Sequence, residues 1–469
     1  MASYGDDAPI AAFATTPGNS ALTLIRCSGK GAIEMAARVF SAPQKMLQTA
    51  GNTIIHGWIM ASDESRSVEK IDDVLVSVYR APKSYTGEDS LDICCHGGSA
   101  AGKAVMTVLR STGFRDALPG EYTFRAFING KLDLTRSESV MELVSAKTDC
   151  GRSHAVNRLS GVLENEINEI KKILVEILSA AEILLDYSED EISAAPDEIA
   201  GLLPAPHRVQ EAITRLSKLA ESWKREQIYQ EGILAVIAGR PNAGKSSLFN
   251  LLIKEERSIV AEIPGTTRDW IEAWVSLEGI PVRLADTAGL RESPDPVEKI
   301  GVQRSRHLLE AAELVLYLVD GEAGLTDEDR AYIAELRQEA PLLLLWNKAD
   351  VKPMPLTVNA AGTFISISAK TGEGIASLTS AIAETVVGSA QTALDIPTAA
   401  SLGSARQKNL VEAAITALEE TLALADREEP LDLIAPMLRE AVNALGEITG
   451  EVSTADILEE MFAKFCVGK

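Results

Sequence analysis

The segment "GRPNAGKS", Gly239 to Ser246, directly follows the apolar run "ILAVIA" and has the spacing G-x-x-x-x-G-K-[ST]. Such a strand, loop and helix start lets backbone N–H groups converge on phosphate oxygens, because the glycines remove the side chains that would keep the anion away. Lys245 adds a point charge at the outer phosphates, and the Ser246 hydroxyl is a candidate Mg²⁺ ligand. Alone, the spacing would also fit a Gly-rich turn. Three further motifs downstream argue against that. "DTAG", Asp286 to Gly289, ends a strand, where its Asp can hold Mg²⁺ through water and its Gly can offer an N–H to a γ-phosphate. "NKAD", Asn347 to Asp350, ends another, and the Asp350 carboxylate matches the adjacent N1 and N2 donors of guanine, a pair adenine lacks. "SAK", Ser368 to Lys370, completes a base pocket.

Between residues 231 and 385 short apolar runs ("GILAVIAG", "VRLADTAG", "AELVLYLVD", "PLLLLWNKAD", "TFISISAK") alternate with polar helical segments, the pattern of a doubly wound parallel sheet. This stretch resembles the Ras-like GTPase domain of translation-factor type. In "IPGTTRD" Thr267 matches the switch threonine that closes on Mg²⁺, with Thr266 beside it. The resemblance implies that GTP is bound by Asn242, Ala243, Gly244, Lys245, Ser246 and Ser247 of the phosphate loop and by Ala261, Glu262, Ile263, Pro264, Gly265, Thr266 and Thr267 of the switch. It adds Asp286, Thr287, Ala288 and Gly289, then Asn347, Lys348, Asp350, Ser368, Ala369 and Lys370 around the base. Leu290 stands where a Ras-like protein carries the glutamine that orients the attacking water, so another polar group must serve.

The remainder is of two kinds. Residues 1–120 mix β-branched runs ("ALTLIRCSG", "VLVSVYRAP", "SLDICCHGG") with Gly and Pro turns, a mixed α/β unit. Leu159, Leu163, Ile167, Ile170, Leu174, Ile177, Ala181 and Leu184 then recur at steps of three and four, which predicts one face of a single long bundle helix running out in "DYSEDEISAAPDE". After residue 400 Ala, Leu and Glu-rich helices return, closing in "TGEVSTADILEEMF" with Ser453 or Thr454 as N-cap. The order predicts a helical domain (121–230 and 386–469) split by an inserted α/β domain (231–385). The fold class is therefore multidomain α/β plus α.

Forty-five basic against 68 acidic residues leave a net charge of −23, which disfavours unassisted binding to nucleic acid. Cys27, Cys94, Cys95, Cys150 and Cys466 are an odd set without C-x-x-C spacing, which argues against a disulfide framework and a zinc site and fits a reducing cytosol. The start "MASYGDDAPI" has no signal or transit character, and no apolar run approaches a membrane span.

"SYTGED" (Ser84 to Asp89), "PGEYTFRAFINGKLDL" (Pro119 to Leu134), "GRPNAGKSSLFN", "GTTRD", "DTAGLRE" and the closing "ITGEVSTADIL" and "FCVGK" together are similar, end to end, to the MnmE (TrmE) family of tRNA modification GTPases. The resemblance implies a cytoplasmic homodimer built on folate-binding N-terminal domains. It implies a flavoprotein partner, MnmG (GidA), with which the family installs an aminomethyl-type group at C5 of the wobble uridine of certain tRNAs. A 5-formyl-tetrahydrofolate-like molecule would supply the carbon. K⁺-stimulated hydrolysis would use Asn242, with Ala261, Ile263 and Thr266, as K⁺ ligands and Glu298 to orient the water, filling the gap left by Leu290. Arg26, Lys131 and Lys469 match folate positions, and Asp92 stands where some members carry glutamate.

Without the family, Arg26, Lys131 and Asp92 read as ordinary surface or turn residues, and His96 equally as a packed or turn histidine or a functional one. Cys94 and Cys95, adjacent on a strand, point to opposite faces. Cys466 is either a small hydrophobic anchor beside Phe465 or, by the motif C-x-G-K, a catalytic residue acting as nucleophile or contact. Gly468 is expected to leave the end flexible. Two other functions compete: a ribosome-assembly or signalling GTPase with binding-module flanks, and a folate enzyme regulated by a G domain.

Overall fold

The computed structural model describes residues 4, 6–16, 18–62, 68–186, 206–255, 272–286, 308–337, 340–355, 363–388, 399–452 and 455–468. Along the chain run β1 (Ile10–Phe13), β2 (Leu22–Ser28), α1 (Ala32–Ala37), α2 (Pro43–Gln48), β3 (Thr53–Ser62), β4 (Val68–Tyr79), β5 (Ser90–His96), α3 (Ser99–Ser111) and β6 (Arg115–Asp116). Helices α4 (Glu121–Ile128), α5 (Leu134–Ser145), α6 (Asp149–Leu159), α7 (Val162–Asp186) and α8 (Pro206–Glu231) follow. Next come β7 (Ile233–Gly239), α9 (Lys245–Glu255), β8 (Glu272–Leu277), β9 (Ile280–Asp286), β10 (Leu314–Asp320), α10 (Asp327–Leu336), β11 (Leu342–Asn347), β12 (Phe364–Ser366) and α11 (Ile375–Val387). The last elements are α12 (Ala405–Asp426), α13 (Leu431–Thr449) and α14 (Ala455–Phe462).

These residues form two compact units. The first comprises Met1–Met141, Glu164–Pro206 and Thr416–Lys469, and the second Glu142–Leu163 and His207–Ile415. The helical stretch 121–230 thus contributes to both.

In the first unit the strand order is β3-β4-β5-β2-β1-β6. The β-branched alternation makes one face apolar: Ile25, Cys27, Ile55, Val74, Val76, Val78, Leu91 and Ile93 are buried against Ile33, Met46, Val105 and Leu109 of α1, α2 and α3. On β5 Cys95 joins that core while Cys94 is half-buried on the opposite face. Tyr122 of α4 is buried on Ile10 and Ala12 of β1. In α7 the stripe Ile167, Ile170, Leu174, Ile177 and Ala181 is buried as periodicity predicts. Leu159, however, belongs to the preceding helix. Gly161, at φ +94°, breaks the run between α6 and α7, so the three-and-four spacing continues across a helix end. The acidic segment 187–205 and Ser453 and Thr454 lie outside the described residues.

The end of the chain is anchored rather than loose. Phe462 and Phe465 pack with Tyr4 and Phe124, ring centroids 5.2 to 6.5 Å apart. Gly468 is buried at φ +93°, where a Cβ would lie 2.5 Å from the Phe13 carbonyl oxygen. Its freedom is spent on a close backbone approach, which corrects the expectation of a flexible end.

In the second unit the order β12-β11-β10-β7-β9-β8 is parallel except for the β8–β9 hairpin. Central strands read as continuous apolar runs because both faces are covered: Ile233, Ala235 and Ile237 face one cluster, Leu234, Val236 and Ala238 the other. In the same unit α6 and α8 share a buried ionic cluster. Arg158 Nη1 donates to Glu226 Oε2 at 2.7 Å and to Ser401 Oγ at 3.1 Å, Arg158 Nε donates to Glu142 Oε2 at 2.8 Å, and His154 Nδ1 lies 2.8 Å from Glu226. Burial pushes the Glu226 carboxyl up, but His154 and Arg158 outweigh it and hold it below the usual range.

Candidate functional site

The phosphate loop leaves β7 through a backbone that only glycine allows at two points. Gly239 is at φ +141°, where a Cβ would lie 2.4 Å from the Leu318 carbonyl oxygen, and Gly244 is at φ +99°, where a Cβ would meet the Asn347 side chain. Lys245 Nζ donates back to the Gly239 and Arg240 carbonyls at 2.8 and 2.9 Å. Burial lowers its pKa against the opposing pull of Asp286. An ammonium so held, in a loop of inward N–H groups, is a ready phosphate counter-charge.

Ser246 Oγ donates to Asp286 Oδ2 at 2.8 Å, bringing together a hydroxyl and a carboxylate from the two motifs expected to hold Mg²⁺. These hard oxygen donors suit that ion. Asn242 projects from the loop at φ +66°, exposed, with an amide oxygen that suits a monovalent cation. Ala261, Glu262, Ile263, Pro264, Gly265, Thr266, Thr267, Thr287, Ala288, Gly289, Leu290, Glu298 and Lys469 lie outside the described residues.

The base motifs are tied to the phosphate loop and to each other. Asn347, buried, donates through Nδ2 to the Ala243 carbonyl at 2.7 Å and accepts at Oδ1 from Ala369 N at 2.9 Å. Ser368 Oγ donates to Oδ1 of the exposed Asp350 at 2.7 Å. Lys348, at φ +63°, turns its ammonium to Asp320 Oδ2 at 2.7 Å and Glu322 Oε2 at 3.0 Å. Sequence reasoning missed Asp320 and Glu322; their signal was two acids closing an apolar strand beside the base motif.

In the first unit Arg26 and Asp92 are cross-strand partners on β2 and β5, with Arg26 Nε 3.0 Å from Asp92 Oδ1. The Arg26 guanidinium lies 5.9 Å from the ring centroids of both Tyr85 and Tyr122. Burial pulls the Arg26 pKa down, but the bond to Asp92 more than offsets it. Lys131 Nζ donates to the Pro82 carbonyl at 3.1 Å, and Asn129 Nδ2 to the Thr86 carbonyl at 2.7 Å, so the "SYTGED" and "FINGK" loops are clasped. Beneath them Glu121, fully buried, pairs with Arg115 and Arg125, and Arg125 reaches Glu88 at 3.1 Å. That network was legible only as the i,i+4 pair Glu121/Arg125. Cys466 is exposed, and its carbonyl accepts from Gly120 N at 3.2 Å. His96 is an exposed strand-end residue, its Nδ1 2.6 Å from Asp72, whose hydrogen bond raises the imidazole pKa.

Comparison with known proteins covers nearly the whole chain. Residues 9–131 match the model of the GTP-binding protein TrmE N-terminus, and residues 134–466 that of the MnmE helical domain. The tRNA modification GTPase MnmE of Treponema denticola is 42% identical over 480 residues, covering 100% of this chain and 99% of that protein. That of Borrelia turicatae is 40% identical over 469 residues, covering 98% of each. Among solved structures, Aquifex aeolicus Era bound to GDP and aluminium fluoride is 21% identical with a TM-score of 0.28, covering 39% of this chain and 66% of that one.

Proposed function

The chain belongs to the MnmE (TrmE) family of tRNA modification GTPases, and from that premise we propose that it is a K⁺-stimulated GTPase that works with the flavoprotein MnmG to modify C5 of the wobble uridine. It hydrolyses GTP, with Mg²⁺, in tRNA modification. The observation that supports guanine nucleotide as the substrate is the tie between Asn347, Ala243 and Ala369, which links the guanine motifs to the phosphate loop; K⁺ and MnmG rest on the family resemblance.

In this reading Asp350 accepts from guanine N1 and N2, Lys245 leaves its two carbonyl partners for the outer phosphates, and Ser246 and Thr267 hold Mg²⁺ beside Asp286. K⁺ supplies positive charge where the transition state develops negative charge. Asn242, Ala261, Ile263 and Thr266 would hold it, and Glu298 orients the water in place of Leu290.

The division 1–120, 121–230, 231–385 and 386–469 then assigns the first segment to folate and dimer formation, and the third to GTP. Folate supplies the one-carbon unit. Asp92, half-buried and paired with Arg26, suits the N–H donors of a pterin; Arg26, Lys131 and Lys469 suit the carboxylates of folate. The docked tail supports a place for Cys466 and Lys469 at that pocket. Partners are a second copy, MnmG and tRNA, in the cytoplasm; among the described residues no helix is long and apolar enough to cross a membrane.

The test is mass-spectrometric nucleoside analysis of tRNA from a strain lacking the gene, with and without the wild-type chain restored. Loss and recovery of the C5-substituted wobble uridine is expected. Intact modification in the deletion strain overturns the reading.

A further inference from the structure

The ends of β10 and β11 carry a clamp whose acidic half, Asp320 and Glu322, lies outside the nucleotide motifs. Asp320 and Asn347 are register partners on adjacent parallel strands, and Gly321 N donates to the Asn347 carbonyl at 3.0 Å. Gly321 leaves no room for a side chain there, since a Cβ would lie 2.8 Å from Trp346 Nε1 and closer still to the Asn347 carbonyl. The two strand ends are therefore pressed together.

Lys348 follows Asn347 in the left-handed region, at φ +63°, a conformation unfavourable for a long side chain. That turn lets Asn347 reach Ala243 and Ala369 while Asp350 reaches Ser368. Something must hold it. The Lys348 ammonium bonds Asp320 Oδ2 at 2.7 Å and Glu322 Oε2 at 3.0 Å, with Asp320 mostly buried and Glu322 more exposed. Asp320 is itself fixed by accepting at Oδ1 from Glu322 N at 3.0 Å. On the far side of the turn, Lys352 Nζ donates to the Glu322 carbonyl and the Lys352 carbonyl accepts from Trp346 Nε1, at 3.2 and 3.1 Å. The loop after β10 thus grips the base loop at both of its lysines.

We propose that Asp320, assisted by Glu322, is a positioning residue for guanine nucleotide: by holding the Lys348 ammonium it keeps the Asn347 to Asp350 turn in its base-binding conformation. Asp320 touches no nucleotide. It acts through Lys348, so its loss weakens recognition of the base without removing any group that meets the phosphates. The paired charges also shift as such a clamp requires: the two carboxylates raise the Lys348 pKa, and for Asp320 burial works upward but is overcome by the bond from Lys348.

Asp320→Asn keeps the side-chain shape and the oxygen that accepts from Glu322 N, and replaces the charged oxygen that accepts from Lys348 by an amide NH2 that cannot. In the full-length protein, titrated with fluorescent N-methylanthraniloyl-GDP, this variant should raise Kd by about tenfold, the scale of a charge-assisted hydrogen bond between partly buried partners. Glu322→Gln should have a smaller effect, and Asp320→Glu should recover part of the loss. The KM for GTP should rise in parallel while kcat at saturating GTP changes less than about twofold, because the clamp acts on binding and not on the hydrolysis step. Asp320→Asn should add little to Lys348→Met, since both remove the same pair. Combined with Asp350→Asn and read with xanthosine diphosphate, the fold loss should be the same, because the turn and not one base atom is affected. An Asp320→Asn affinity equal to wild type overturns the proposal, as does full additivity with Lys348→Met. A fall in kcat at unchanged KM, or a lowered melting midpoint of the nucleotide-free protein with unchanged Kd, would reassign Asp320 to catalysis or to folding.

Discussion

Asn347 donates its side-chain amide to the Ala243 carbonyl across 2.7 Å, so the residue that opens the base motif also closes the phosphate loop. Asn347→Ala would leave that carbonyl and the Ala369 N–H buried without their partner. An expected loss of about 2 to 3 kcal/mol in unfolding free energy, together with weakened GDP binding, is checked by urea denaturation and nucleotide titration. Unchanged stability would show that water replaces the amide at both points.

For the cation, replacing K⁺ by Na⁺ at equal ionic strength should slow GTP hydrolysis in the wild-type chain. Asn242→Ala should remove most of this difference while sparing GDP affinity, since the exposed amide at φ +66° is offered to charge that develops only in the transition state. The check is a steady-state rate in each salt, and equal rates for the wild type would dismiss the K⁺ site.

Arg158 is buried with Glu142, Glu226 and Ser401 around it. Arg158→Met removes the buried charge that faces Glu142 and Glu226 and should destabilise the second unit by about 3 to 5 kcal/mol. Adding Glu142→Gln and Glu226→Gln should recover part of that loss. Differential scanning calorimetry of the three proteins tests this, and a single variant as stable as wild type would count against a tightly coupled cluster.

How far residues alone foretold these arrangements depends on how local each one is. The phosphate loop was legible because its glycines, lysine and serine sit in one short run whose spacing has a single geometric purpose. The tie from Asn347 to Ala243 joins residues 104 positions apart, and only the residue type, not the partner, could be anticipated. The partner of Asp320 was hidden for the same reason: it lies 28 positions on, brought beside it by parallel strand pairing. Leu159 was placed on the wrong helix because hydrophobic spacing carries across Ser160 and Gly161, where backbone conformation and not polarity ends the element.

At Asp133, burial raises the carboxyl pKa from 3.8 to about 6, against the bonds it accepts from Arg136 N and Thr135 Oγ1. Between those two values the folded state binds the proton that the unfolded chain has released, so this residue's contribution to stability falls as pH rises through the window. The expected size is about 1 to 2 kcal/mol. Asp133→Asn keeps an acceptor for Arg136 N and should flatten that part of the curve. Superimposable wild-type and variant unfolding free energies from pH 4 to 6 would refute it.

The tail offers a separation of functions. Gly468→Ala places a Cβ against the Phe13 carbonyl at a positive φ and should undock the last residues, lowering wobble-uridine modification in cells. Cys466→Ser should abolish it. Neither should alter the GTPase rate, and wild-type nucleosides in both variants would reduce the tail to a hydrophobic anchor.

Because the first unit takes its residues from Met1–Met141, Glu164–Pro206 and Thr416–Lys469, it is not assembled in the order in which it is made. A ribosome delivers the whole second unit before the helices that close the first, so the partners of Phe462 and Phe465, Tyr4 and Phe124, wait through most of synthesis with an aromatic surface uncovered. A chain stalled or truncated before residue 416 is therefore a sticky intermediate with an intact G domain core, a natural client for chaperones and proteases, and completion of the last helices is the event that ends that exposure.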